Sequence, residues 1–215
     1  MHVNLRHYPK LGAPRQTVER SVANELVPGL KEQPGFKGYW AFITDDGGAT
    51  SISAFDTEEA AEWSADKARR WITRHPDFFP ERGEEFSGGC VAHDAPHGRE
   101  QQTGAGREAL YVLVRELENV PEADRLRWIA QRKARPLIAQ VEGFRGLFVV
   151  GSDKRHRRAA VVTLFDNLRN ALKSHEQAAR VLSVDLPEIR VARVVHGPTV
   201  IVAGGDSLRS TGIRG

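Results

Sequence analysis

The fold is decided by Pro34-Gly-Phe-Lys-Gly-Tyr-Trp-Ala-Phe-Ile-Thr-Asp-Asp-Gly-Gly-Ala-Thr-Ser-Ile-Ser-Ala-Phe-Asp56, because the chain carries this stretch twice. A near copy begins at Glu142-Gly-Phe-Arg-Gly-Leu-Phe-Val-Val150 and closes on Val161-Val-Thr-Leu-Phe-Asp166. Gly35 matches Gly143, Phe36 matches Phe144 and Gly38 matches Gly146, all at an offset of 108 (143 − 35). Upstream, Pro28 matches Pro136 at the same offset; downstream, Phe55-Asp56 matches Phe165-Asp166 at 110 (165 − 55). The two extra residues fall in the turn between strands, where a change of length is tolerated. The chain is a tandem duplication, and its fold is the fold of the repeated unit taken twice.

Working outward, Val3, Leu5 and His7 alternate with polar residues as a first strand. Arg15 to Glu32 carries Val18, Val22, Leu26 and Leu30 at a spacing of four, one apolar stripe of a helix. Pro28 falls inside it and predicts a kink, repeated at Pro136. Two strands, 36–44 and 49–55, flank an Asp-Gly hairpin loop. Asp56, with Glu59 three residues on, predicts the cap of a second helix running to about Thr73. Phe86 to His93 reads as a fourth strand, so the unit is strand, helix, strand, strand, helix, strand. It occupies 1–93; a polar, Gly-rich linker takes 94–108; the second unit runs over 109–203; and 204–215 reads as a loose tail. In the second unit Leu126, Ile129, Leu137 and Ile138 are the apolar positions of the first helix, and Leu168, Ala171, Leu172, Ala178 and Leu182 those of the second.

Such a unit makes a four-stranded antiparallel sheet with both helices on one face, the ferredoxin-like arrangement. Phe36, Tyr39, Trp40, Phe42 and Ile43 put apolar side chains on both faces of the sheet, which therefore needs two covers. The helices supply one and the twin sheet the other. The expected fold is α+β: two ferredoxin-like βαββαβ repeats packed sheet to sheet within one chain.

Composition narrows the function classes. The chain has 215 residues, 27% of them charged, and a net charge of +3, too small to imply a nucleic-acid partner. No apolar run approaches the roughly 18 residues of a membrane span, and the N-terminus lacks a signal core, which predicts a cytoplasmic protein with no membrane partner. Cys90 is the only cysteine, so there is no internal disulfide and no thiolate metal site; its Gly88-Gly89-Cys90-Val91 setting predicts a buried, inert thiol. No histidine spacing specifies a metal, and no phosphate loop or nucleophile elbow is present. The most basic run, Lys154 to Arg158, falls on a hairpin tip and reads as solvated.

Pro-Gly-Phe-Lys-Gly-Tyr (34–39), its echo at 142–147, and the strand ending in Phe-Asp before a helix resemble the antibiotic biosynthesis monooxygenase-like (ABM) domain of the dimeric α+β barrel superfamily. The resemblance covers both halves. It implies a barrel closed between the two repeats, a pseudo-dimer in one chain, with a further homodimer left open. It also implies a monooxygenase acting on an aromatic or planar substrate without a cofactor, or a heme-degrading oxygenase. The alternative is a non-catalytic ligand-binding or structural module of the same fold.

For the heme branch the resemblance selects Asn4 on the first strand, Trp63 on the second helix and His75 just past it. Helical phase speaks against Trp63, which lies off the stripe of Ala61, Ala65, Ala68 and Ile72 and is replaced by Lys173 in the second copy. Trp71 lies near that stripe. His175 falls on it, where the first copy has Ala65, and is either hydrogen-bonded in the packing or open to a pocket as a proton shuttle. Tyr39, Trp40, Trp63 and Trp71 are the aromatic residues suited to hold a planar substrate. The second copy has Leu147, Phe148, Lys173 and Val181 there, so at most one working site is expected.

Overall fold

A computed structural model describes residues 1–94, 109–151 and 157–204. The proposed linker and tail, apart from Asp94 and Gly204, lie outside the described residues, as do Lys154 to His156 of the basic run. The first repeat comprises β1 (His2–Tyr8), α1 (Arg15–Ser21), a π turn (Val22–Leu26), α2 (Val27–Lys31), β2 (Phe36–Ile43), β3 (Ala49–Phe55), α3 (Glu58–Arg74) and β4 (Glu84–Asp94). The second runs β5 (Tyr111–Glu118), α4 (Ala123–Ile129), a π turn (Ala130–Ala134), α5 (Arg135–Ala139), β6 (Phe144–Gly151), β7 (Arg158–Phe165), α6 (Leu168–Asp185) and β8 (Arg190–Gly204). Both repeats are βαββαβ.

The kink predicted at Pro28 takes the form of a π turn directly before it. Val27 donates its N–H to the Val22 carbonyl five residues back, and Arg135 does the same to Ala130. A proline removes the bond to the carbonyl four residues back, and a widened turn is one way a helix absorbs this. The wide turn also explains the spacing of four. In a regular helix each such step advances by about 40°, so the stripe would drift by about 120° between Val18 and Leu30. The extra residue in the π turn pulls it back, and Val18, Val22, Leu26 and Leu30 are all buried.

The glycines of the repeated stretch have separate duties. Gly35 and Gly143 sit at φ of +83° and +71°, a region that L side chains rarely adopt. Gly38 makes room: a Cβ there would meet the Trp40 ring at 2.4 Å. The aspartates do not cap. Thr57 Oγ1 accepts from the Ala60 N–H, and Asn167 Oδ1 from Asn170, so each cap is one residue later than expected. Asp56 instead donates its N–H to the Gly35 carbonyl and pairs with Lys37 at 2.7 Å; Asp166 repeats this with Gly143 and Arg145.

The eight strands close into one antiparallel barrel in the order β1-β3-β2-β8-β5-β7-β6-β4, with β4 returning to β1. Closure is achieved by the long fourth strand of each repeat. β4 pairs with β1 over Glu84 to Gly89 and with β6 over Gly89 to Asp94. β8 pairs with β5 over Arg190 to Pro198 and with β2 over Thr199 to Gly204. The barrel interior is filled by Val3, Leu5, Trp40, Phe42, Ile52, Val114, Phe148 and their neighbours. The helices cover the outside, over separate apolar layers around Tyr39, Phe55 and Trp71 in one repeat and Leu147, Phe165 and Ala171 in the other. Leu137, Leu168 and Leu172, expected on buried stripes, are exposed instead. No described helix is long and apolar enough to cross a membrane.

Candidate functional site

Strand register equates the repeats residue by residue. His2 stands opposite Phe55 as Tyr111 stands opposite Phe165, so Arg6 corresponds to Arg115 and Asn4 to Leu113. On the helices, the 110 offset equates Ser64 with Ser174 and Ala65 with His175. Val3 and Leu5 point into the barrel, so Asn4 and Arg6 point out, beneath α3.

In the second repeat this layer is satisfied. Arg115 is 1% exposed, and donates from Nε to His175 Nδ1 (3.1 Å), from Nη1 to Thr163 Oγ1 (3.3 Å) and from Nη2 to Ser174 Oγ (3.1 Å). Burial lowers the Arg115 pKa to about 10, so it stays charged at neutral pH. Burial first, and then the Arg115 charge, lower that of His175; its Nδ1 accepts, which places the ring proton on Nε2.

In the first repeat the same layer is rewired. Asn4 donates from Nδ2 to the Ala61 carbonyl (2.7 Å) and to Ser64 Oγ (3.0 Å), and its Oδ1 accepts from Ser87 Oγ (2.6 Å). Ser64 is thereby taken, and Ala65 offers no acceptor. Arg6, only 4% exposed, is left with no hydrogen-bond partner at Nε; Glu85 Oε1 stands 3.6 Å away. Ser53 Oγ, the counterpart of Thr163, is likewise buried and unpartnered.

Two openings meet at Arg6. A cavity of about 60 Å³ between strands and helices is lined by Arg6, Tyr8, Tyr39, Trp71 and Phe79 among others. Tyr39 and Tyr8 have their pKa values pushed up to about 12 by burial, so both are neutral hydroxyls at working pH; Tyr39 is hydrogen-bonded to Ser51. On the other side a groove of about 890 Å³ runs between α3 and β4, past Asn4, Arg6, Ala65, Arg69 and Glu85. The second repeat's cavity, about 40 Å³, is lined by Arg115 and otherwise by aliphatic residues such as Leu126, Ile129, Val149 and Val181.

The expected site residues therefore part company. Tyr39 and Trp71 share the cavity, and Asn4 lines the neighbouring groove. Trp40 does not join them: its ring lies inside the barrel against Phe148, centroids 5.3 Å apart. Trp63 is 37% exposed on the outer side of α3 under the Lys67 ammonium. His175 belongs to the other repeat. His75 lies at the far end of α3 from Asn4, roughly 16 Å along the helix from Ser64. Its Nε2 is bonded to Glu25 Oε2 at 2.9 Å, and its ring stacks on Phe78. The residues present do not fit a heme held by Asn4, Trp63 and His75, because the three do not converge on one space.

Three residues in these layers escaped the sequence reading. Glu25, in the first π turn, accepts from Ser21, from Trp71 Nε1 at 3.2 Å and from His75; the Ser21 bond is the main reason its pKa is lowered. Arg6 and Arg115 are the other two. Their signal was an arginine at the same position of the first strand in both repeats. Among the described residues no group of three His, Cys, Asp or Glu side chains gathers as metal ligands. Cys90 is half-buried, with its thiol pKa pushed up to about 11 by burial.

No family model matches the sequence, and no curated protein does. Solved structures do. A "putative monooxygenase" from Fusobacterium nucleatum superposes with a TM-score of 0.70 at 8% identity, over 94% of each chain. The chain has the dimeric α+β barrel fold. An anthrone oxidase-like protein gives 0.61 at 12% identity, covering 95% of this chain and 93% of its own. A heme-binding protein from Thermus thermophilus gives 0.55 at 9%, over 93% and 91%. In this dimeric α+β barrel both halves lie in a single polypeptide. At such identities the likeness carries the fold, and no activity.

Proposed function

We propose that this chain is an oxygenase-type enzyme for a small aromatic substrate, with one working site, under α3 in the first repeat. The observation that carries this is the contrast between the two cavities. The first is walled by Tyr8, Tyr39, Trp71 and Phe79 with a cation at its edge; the second is aliphatic, and its arginine is sealed. The first cavity holds a few water-sized molecules, dioxygen among them, but is smaller than the several hundred Å³ of a substrate site. The groove beside it has that size. Arg6 stands between the two. An aromatic substrate of the kind named for the anthrone oxidase-like protein of the same fold supplies its own electrons. A methylene between aromatic rings would become a ketone: the substrate gives up four electrons, one atom of dioxygen ends in the carbonyl, and the other leaves as water. Tyr39, held neutral on the wall of the small cavity, would donate a hydrogen bond to the oxygen anion that develops where dioxygen meets the substrate.

The second repeat is then the structural half, a filled copy that closes the barrel. The test is dioxygen uptake with anthrone-type substrates. Uptake should match product one to one, and Tyr39→Phe, if folded, should slow it by about 10- to 100-fold, the worth of one donor to a charged group. Uptake no faster than in buffer would overturn the reading.

A further inference from the structure

We propose that Phe79 is the door to the working cavity: its ring occupies the face of Tyr8 on which a planar, uncharged aromatic substrate stacks, and swings aside to admit it. This rests on the reading of the first-repeat cavity as the working site. Phe79 lies in the connection between α3 and β4, residues 75–83. Its ring stacks on Tyr8 with centroids 4.0 Å apart and planes inclined by 27°, the contact that one flat ring makes with another. The cavity of about 60 Å³ behind this pair has no room for an aromatic body while Phe79 is in place.

Space for such a body lies on the other side of the same pair. An opening of about 690 Å³ wraps over one rim of the barrel, with Phe86, Val114 and Val195 of the barrel filling as its floor. Tyr8, Thr50, Ile72 and Phe79 line both this opening and the cavity, so they are the wall between them. The groove between α3 and β4 shares only Arg6 with the cavity, and Arg6 is buried beside Glu85. Within the common wall, Tyr8 and Thr50 are held by strands and Ile72 by a helix, which leaves Phe79 as the movable part. Gly83 keeps Tyr8 in place, since a Cβ there would meet its ring at 2.4 Å. The Gly12 N–H pins the Phe78 carbonyl at 2.9 Å, so the backbone is anchored and a rotation of the Phe79 side chain suffices.

The rim selects for a neutral ligand. It carries four guanidiniums and four carboxylates. They pair: Arg193 with Glu84 and Glu116, Arg158 with Glu116, and Arg69 with Glu85. A balanced rim has no surplus charge to offer an ion, and taking an ionised group onto the apolar floor is costly. The ligand class is an uncharged planar aromatic, to which the anthrones of the proposed reaction belong.

The experiment uses the full chain labelled with fluorotryptophan, its ¹⁹F resonances assigned by Trp→Phe variants. Trp71 lines the cavity, whereas Trp40 lies inside the barrel and Trp128 is exposed on the second repeat. Titration with 2-naphthol should shift the Trp71 resonance saturably and leave those of Trp40 and Trp128 in place. Phe79→Ala vacates the face of Tyr8 and should tighten this binding about 10- to 100-fold, the factor by which a sparsely populated open state weakens it. The anion 2-naphthoate should bind about 10-fold more weakly than 2-naphthol, or worse. An unmoved Trp71 resonance, unchanged or weaker binding in folded Phe79→Ala, or 2-naphthoate binding as tightly as 2-naphthol would each overturn the proposal. If Phe79→Ala does not fold, nuclear Overhauser contacts between 2-naphthol and the Tyr8 ring of the unaltered chain decide: their presence supports the seat and their absence refutes it. Binding is read here without turnover. Naphthol seated on Tyr8 with no dioxygen uptake from anthrone would refute the oxygenase reading alone, and uptake without that seat would refute this one alone.

Discussion

Arg115 has five N–H donors and, beneath α6, donates to neutral partners: an imidazole and two hydroxyls. That arrangement makes His175 sensitive to acid. Burial and the Arg115 charge lower its pKa, so the folded chain holds this proton less well than the unfolded chain does. The stability tied to the neutral ring is therefore complete above the ordinary histidine value of 6.5 and is lost as pH falls below it. His2, His7 and His93 are shifted downward as well, each chiefly by burial, and add in the same direction. Thermal unfolding should show Tm falling from neutral into mildly acidic buffer. His175→Gln keeps an acceptor for Arg115 without a titrating ring, and should flatten part of that fall; an unchanged slope would free His175 of the role. At this scale the sequence was readable where one residue has one duty, as at Gly35 with its positive φ. It was not readable at Arg6, because whether an arginine is sealed depends on residues far along the chain, 48 to 60 positions away at Arg115, that only the fold brings together.

Helix α3 and the segment from α1 to α2 show a different limit. The spacing of four at Val18, Val22, Leu26 and Leu30 announced a helix correctly, yet a strict run of fours does not suit 3.6 residues per turn. The π turn reconciles the two, and Pro28 beside it was the visible sign. Because the wide turn has already relieved the ladder, Pro28→Ala should change stability by no more than about 1 kcal/mol, where a proline inside a regular helix costs about 3 kcal/mol. Urea unfolding measures the difference; a gain near the larger figure would mean the proline is strained. The aspartate expected as a cap shows the converse. Asp56 and Thr57 are both good caps, and the choice fell to Thr57 because Asp56 is held by Lys37 and the Gly35 carbonyl.

For the molecule as a whole, the decisive signal was a strand apolar on both faces. Trp40 and Phe42 fill the barrel while Tyr39 meets the helices, which is the alternation of a sheet with two covers. Trp40 and Phe148 are equivalent residues at the 108 offset and touch at the barrel's centre. Trp40→Ala is expected to cost about 3–5 kcal/mol by opening a void at the junction of both repeats. Trp63→Ala, exposed on α3, should cost less than about 1 kcal/mol. Denaturant midpoints that rank the two variants in the opposite order would contradict the placement. What the sequence could not convey was how the barrel closes, because β4 and β8 each read as one ordinary strand.

That shared use of β4 and β8 bears on how the chain is made. Trp40 lies opposite Val202 across the β2–β8 seam, 162 positions apart along the polypeptide (202 − 40). Contacts so distant in sequence form late. While the ribosome is still delivering the second half, the first half has raw hydrogen-bonding margins along β2 and the outer end of β4, and its greasy inner surface faces water. Such margins invite pairing with any neighbouring nascent copy. Carrying the complementary half on the same polypeptide keeps the correct partner at high local concentration from the moment it emerges.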